Sequence, residues 1–195
     1  MTRYFSLYKP YDVLSQFSRE LPSHRTLADL HPFPPRVYPI GRLDRDSEGL
    51  LLLSDDKALN HRLLDPQQRH WRAYWAQVEG IPSATALQAL RSGLRIRINK
   101  KTHHCLPTRA KLLDAPPTLP DRDPPIRFRQ NSPTAWIEIQ LQEGKNRQVR
   151  KMCAAVGFPV LRLVRHRIED LRLGDLPPGT VREWSRAAFY QALHL

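Results

Sequence analysis

The chain has 195 residues, 41% of them hydrophobic, with 31 Lys+Arg against 19 Asp+Glu and a formal charge of +12. It is long enough to bury a real core and too apolar for a disordered chain. Its longest aliphatic run, residues 50–53, excludes a membrane-spanning helix of ~20 residues, and the N-terminus lacks a signal-peptide core.

Residues 4–8 alternate enough for a strand, and 12–16 suggest a second short one. Residues 37–40 lead into Gly41-Arg-Leu-Asp-Arg-Asp-Ser-Glu-Gly49, a polar stretch with glycine at each end. Residues 50–53 read as a buried strand, and 57–64 as a short helix. Residues 71–79 have strand composition. A helix over 83–92 can be capped by Ser83 and ended by Gly93. Residues 94–98 and 105–113 look like strands. The proline-rich run 115–125 marks a loop, and 115–133 as a whole is expected to be exposed.

Residues 134–142 give the clearest strand, with Ile137, Ile139 and Leu141 on one face and Glu138, Gln140 and Gln142 on the other. Residues 146–156 give the clearest helix. Val149, Met152, Cys153 and Val156 form one apolar stripe; Asn146 can cap it and Gly157 can end it. Arg147, Arg150 and Lys151 fall off the stripe, so its outer side is basic. Strands over 160–164 and 167–173 follow, and Ser185 opens a last helix to about residue 194. This pattern predicts an α+β fold: a mixed, largely antiparallel sheet flanked by helices. It forms one domain over 1–195, a length that also allows two subdomains.

Of the 31 basic residues, 24 are Arg. Arg pairs with phosphate and stacks on bases, so the bias suggests a nucleic-acid partner; a GC-rich genome would produce it too. The excess is uneven: +4 over residues 1–97 and +8 over 98–195. Residues 143–172 carry eight basic and three acidic side chains. Cys105 and Cys153 are the only cysteines, which excludes a disulfide framework and fits a reducing cytoplasm.

Three segments could carry chemistry. In Gly41-Arg-Leu-Asp44, Asp44 could be a nucleophile, a base, a metal ligand or simply an Arg partner. Asp46 and Glu48 nearby raise a metal-dependent nuclease as one reading, although the spacing is not that of a calcium loop. In Glu143-Gly-Lys-Asn-Arg-Gln-Val-Arg150, Lys145 and Arg147 precede a helix N-terminus, which suits a phosphate. A solvated basic turn explains the same residues. In Arg72-Ala-Tyr74, an aromatic among basic groups could stack on an unpaired base, while Trp71 and Trp75 read as core. His103-His104-Cys105 hints at metal, but no second Cys/His cluster completes a site.

Taken in order, these segments resemble the RsuA/RluE-type family of ribosomal RNA pseudouridine synthases. The likeness covers Lys9-Pro10, the 41–53 motif, Arg72-x-Tyr74, Glu143-Gly-Lys-Asn-Arg-Gln-Val-Arg-Lys-Met152, Gly157-Phe-Pro-Val-Leu-Arg-Leu-Val-Arg165 and Pro178-Gly-Thr-Val-Arg-Glu-Trp184. The resemblance implies the pseudouridine synthase fold and no cofactor. It makes Asp44 the nucleophile, sets Arg150 against it to keep the carboxylate ionised, and has Tyr74 stack on the flipped uracil. Arg42, Lys145, Arg147 and Gln148 would bind RNA. The implied partner is 23S ribosomal RNA or a large-subunit assembly intermediate, met by a cytoplasmic monomer.

The motifs begin at Lys9, so an S4 domain before them is not expected. Three positions depart from the pattern: Ser54-Asp-Asp-Lys57, Arg72 where Lys is common, and Ile168-Glu169 where Ile-Gly is frequent. The reading from a different class is a non-catalytic RNA-binding or ribosome-assembly protein on the same scaffold, because charge alone requires only binding.

Overall fold

The computed structural model describes residues 2–126 and 132–195. Residues 127–131 of the expected exposed loop, Arg127 among them, lie outside the described residues. The chain forms two compact units, residues 1–70 with 164–195, and residues 71–163.

In the first unit, β1 (Tyr4–Lys9) pairs antiparallel with β3 (Glu48–Ser54) on one side and with β11 (Val181–Trp184) on the other. β1 and β3 are buried along their whole length. Burial on both faces explains why residues 50–53 are a continuous aliphatic run rather than an alternating one. The far edge of β3 is shared. β2 (Tyr38–Ile40) pairs antiparallel with Leu52–Ser54, and β9 (Val160–Ile168) runs parallel beside Glu48 and Gly49. β2 and β3 therefore make a hairpin whose connection is residues 41–47. β10 (Leu171–Arg172) folds back on β9.

Helices α1 (Lys57–Leu64) and α4 (Arg186–Ala192) meet β1 at one carboxylate. Asp56 caps α1 by accepting from the Ala58 amide at 3.1 Å, and it also accepts from the hydroxyls of Tyr4 (3.0 Å) and Tyr190 (2.6 Å). Burial works against ionising Asp56, but the bonds from Tyr190 and Tyr4 outweigh it and hold the carboxyl below its ordinary range. Burial, with Asp56 as partner, pushes Tyr4 up to about 12. The departure at 54–57 is thus a working helix cap.

The other departure, Glu169, adopts a left-handed φ of 46° at the β9–β10 turn, where a glycine carries no steric cost. Its carboxylate is held 3.0 Å from Nδ1 of His70.

Two expectations for this unit need correction. Residues 12–16 form no strand. Asp12 is left-handed at φ 62°, and only Val13 bridges, to Arg25. The expected break at 165–166 is absent, because β9 runs through it. Arg165 and His166 read as polar interruptions, yet both are buried, and Arg165 donates from Nε to the Leu50 carbonyl at 2.8 Å. The edge strand β11 carried no clear pattern in four residues.

In the second unit, β4 (Arg72–Glu79), β8 (Thr134–Leu141) and β7 (Arg109–Leu112) are antiparallel in that order. Ile137, Ile139 and Leu141 are buried, as their alternation predicts. Helix α2 (Ala84–Ser92) is capped by Ser83, whose hydroxyl accepts from Ala86, and packs on β7. β5 (Arg95–Ile98) and β6 (Lys101–His104) form a separate two-stranded hairpin. Helix α3 (Gln148–Ala155) packs on β5 and buries Val149, Met152 and Cys153.

The strand expected over 105–113 is shortened to 109–112, and residues 101–104, not expected as a strand, form β6 against β5. Trp71 and Trp75 are half-buried rather than core. The Trp71 ring carries the Arg109 guanidinium 4.3 Å from its centroid.

The contact of β3 with β9 sets a strict requirement at Gly49. Its φ is 103°, and a Cβ there would lie 2.3 Å from the backbone oxygen of Arg165. Gly49→Ala is therefore expected to cost about 3 kcal/mol or more. Chemical denaturation measures it; a loss below about 1 kcal/mol would contradict this close approach.

Candidate active site

The connection between β2 and β3 is a fixed turn. Leu43 is buried, and Ser15 pins it twice: the Ser15 hydroxyl donates to the Leu43 carbonyl at 2.9 Å and accepts from the Leu43 amide at 3.1 Å. The Ser47 amide then donates to the Asp44 carbonyl at 3.0 Å. Asp44 thus sits between a pinned residue and a closed turn, half-buried, at the mouth of a rigid hairpin. Arg42, one residue before the pinned Leu43, is exposed. A polar loop on buried strands can hold a reactive side chain to the tolerance that chemistry needs.

Lys9, at the end of β1, underlies this turn. It has no solvent exposure, and its ammonium donates to the carbonyls of Val13 (2.7 Å) and Pro10 (2.8 Å), with the Arg45 carbonyl at 3.4 Å. Burial lowers it to about 7, against the attraction of Glu48, Asp46, Asp12 and Asp44. The Asp12 amide donates to the same Arg45 carbonyl at 2.9 Å. Lys9 therefore reaches the backbone at Arg45, one residue after Asp44, and places its amino group among four acids. Sequence alone offered Lys9 only as part of a motif.

In the second unit, Tyr74 lies on β4 opposite Ile139 and is 9% exposed. Arg150 lies on α3 beside the buried Val149 and donates from Nη1 to the Val160 carbonyl at 3.3 Å. Lys145, Asn146 and Arg147 are exposed in the turn before α3. The residue that starts α3 is Arg147, in a left-handed conformation with φ 53° and without a side-chain cap. The expected Asn146 cap is not formed.

Gln148, expected to bind RNA, is buried. It is 3% exposed, donates to Glu143 at 2.5 Å, and accepts from the Lys145 amide at 3.1 Å. Its amide is used in shaping the turn.

Glu143 is the hub of this region. Oε1 accepts from the Leu106 amide at 2.8 Å and from Gln148, and Oε2 accepts from Nε2 of His103 at 2.9 Å. His103, Cys105 and Glu143 bring ligand atoms within 4.8 Å of one another, so the fold supplies a third group to the His-Cys pair. The hydrogen bonds already made by Glu143 give the cluster a structural use. The one such group of three among the described residues is this one, and it contains none of Asp44, Asp46 and Glu48.

The bracing by Lys9 has a pH signature. The folded chain releases a proton near pH 7 that the unfolded chain keeps until about pH 10.4. Across that window the unfolded state binds more protons, so stability rises with pH. The stability advantage of the parent over Lys9→Met is expected to grow between pH 7 and 10. Denaturant titrations across that range measure it. A constant difference would contradict a lowered Lys9.

A family model described as RNA pseudouridylate synthase matches residues 3–155. The chain is 54% identical, over 173 residues, to the ribosomal large subunit pseudouridine synthase E of Xanthomonas axonopodis pv. citri, covering 88% of each chain. It is 47% identical over 175 residues to the protein of the same name from Vibrio parahaemolyticus, covering 90% of this chain and 71% of that one. Among solved structures, a crystal structure of a pseudouridylate synthase superposes with a TM-score of 0.80 at 23% identity, over 98% of this chain and 74% of that one. Both the α+β fold and the sequence thus point one way: this chain belongs to the RNA pseudouridylate synthase family.

Proposed function

We propose that this protein converts a uridine of 23S ribosomal RNA to pseudouridine, with Asp44 as the catalytic carboxylate. The names of its relatives, at identities up to 54%, support a large-subunit ribosomal substrate. The observation that carries the role of Asp44 is its setting, in a turn clamped at Leu43 by Ser15 and closed at Ser47.

The reaction breaks the C1′–N1 bond, turns the uracil and rejoins it through C5. N1 gains a proton and C5 loses one, so nothing is oxidised or reduced and the residues need no cofactor. A carboxylate can act as nucleophile on the sugar or base. Asp44 supplies it. Arg150, carried over by resemblance, orients that carboxylate. Tyr74 offers a ring to the extruded base. Extrusion costs a few kcal/mol, which phosphate contacts from Arg42, Lys145 and Arg147 offset. Because Gln148 is buried, it shapes the turn that presents Lys145 and Arg147. Acting on ribosomal RNA places the protein in the cytoplasm, where its two thiols, both buried, stay reduced.

Asp44→Asn tests the reading. The variant is expected to keep its fold and its affinity for 23S rRNA while pseudouridine formation falls by about 10⁴-fold or more. Nucleoside analysis of the treated transcript measures this. Parent-like turnover would overturn the role of Asp44, and a parent protein that bound RNA but formed no pseudouridine would favour the binding-only scaffold.

A further inference from the structure

From Gly80 to Leu113 the chain has seven Lys or Arg residues and no acid. The structure divides the seven. Arg91 donates to the Ala110 carbonyl at 2.7 Å, Arg109 covers Trp71, and Lys111 pairs with Glu138 at 3.4 Å. The other four, Arg95, Arg97, Lys100 and Lys101, lie together on the β5–β6 hairpin. All four are exposed, and among the described residues their side chains make no ion pair or hydrogen bond. The register puts Arg95 beside His104 and Arg97 beside Thr102 on one face, and turns the buried Ile96 to the other. Lys100 and Lys101 stand at the tip.

The hairpin is held at its root. The Cys105 amide donates to the Leu94 carbonyl at 2.8 Å, and Glu143 holds both His103 and the Leu106 amide. α3 packs on β5. Glu143 also opens the loop that carries Lys145 and Arg147, so both groups of cations hang on one hydrogen-bonded hub. The tip is built against local preference. Asn99 and Lys100 both have positive φ, 48° and 66°, the geometry of a two-residue hairpin turn that favours Asn-Gly. A lysine occupies the glycine position at a steric cost. Four cations without a partner among the described residues, on an arm hydrogen-bonded at its root and one of them at a strained position, match a polyanion rather than a packing surface.

We propose that the β5–β6 hairpin is a second RNA-docking element, with Arg95, Arg97, Lys100 and Lys101 gripping phosphates of the ribosomal RNA. This rests on the rRNA reading above and deepens it. Contacts of this kind set register and affinity without reading bases. They are salt-dependent, because each neutralised phosphate releases counterions.

Two variants test it by filter binding to an unmodified 23S rRNA transcript across a salt series. With all four cations changed to Ala, affinity is expected to fall at least about tenfold at 0.15 M salt, and the log–log salt slope to become shallower by about 3. Lys100→Gly relieves the turn while removing one charge. Its Tm is expected to rise while its salt slope drops by about 1, a combination that a purely structural role for Lys100 would not give. Arg95→Lys with Arg97→Lys should retain the slope of the parent. Unchanged affinity and slope in the fourfold variant would overturn the proposal. Pseudouridine formation by the parent, measured separately, tests the rRNA reading, so failure of one is distinguishable from failure of the other.

Discussion

The Lys9 ammonium has no solvent exposure and sits among four acids, with the carbonyls of Val13 and Pro10 as its acceptors. A buried cation is tolerated only when hydrogen-bonded and surrounded by opposite charge. The turn at 41–48 supplies much of that charge, through Asp44, Asp46 and Glu48. The dependence runs both ways. Lys9 is buried with the attraction of these acids offsetting part of its desolvation, and its ammonium in turn attracts their carboxylates. Since Lys9 ends β1 and Glu48 begins β3, the antiparallel pairing of these two buried strands brings the opposing charges together. The placement of Asp44 is thus a consequence of how the core sheet of its unit is paired.

The net charge of +12 resolves into distinct roles. Some arginines are internal fasteners, such as Arg165 on the Leu50 carbonyl and Arg162 on the Pro120 carbonyl. Others are neutralised at the surface, as Arg3 is by Glu183 and Arg182 by Asp175. Among the described residues of the second unit, exposed cations include Lys145 and Arg147 before α3 and Arg95, Arg97, Lys100 and Lys101 on the β5–β6 hairpin. Composition counted all of these alike. The fold separates those that build the protein from those that face outward, and only the latter can create a salt-sensitive field for RNA.

Legibility in the sequence followed the range of the interaction. Helix α1 over 57–64 was legible to the residue and α2 nearly so, because a cap and a stop are local signals. The stripe of Val149, Met152 and Cys153 was equally plain. The β5–β6 pairing was missed because its turn carries Lys100 in place of glycine. β9 was broken in two because Arg165 and His166 look exposed until a neighbouring strand buries them. At the site, Asp44 was legible as a motif residue. The burial of Gln148, the depth of Lys9 and the hub at Glu143 depend on partners that are distant in sequence. The one overlooked local signal was the acid-free stretch from Gly80 to Leu113.

Isomerisation of a base in 23S ribosomal RNA leaves a mark that can be mapped in the cell. A pseudouridine map of ribosomal RNA from cells lacking the protein, set beside the parent strain, tests it most directly. One 23S position is expected to remain uridine in those cells and to return to pseudouridine when the gene is restored. An identical map in both strains, with every ribosomal pseudouridine present, would contradict it.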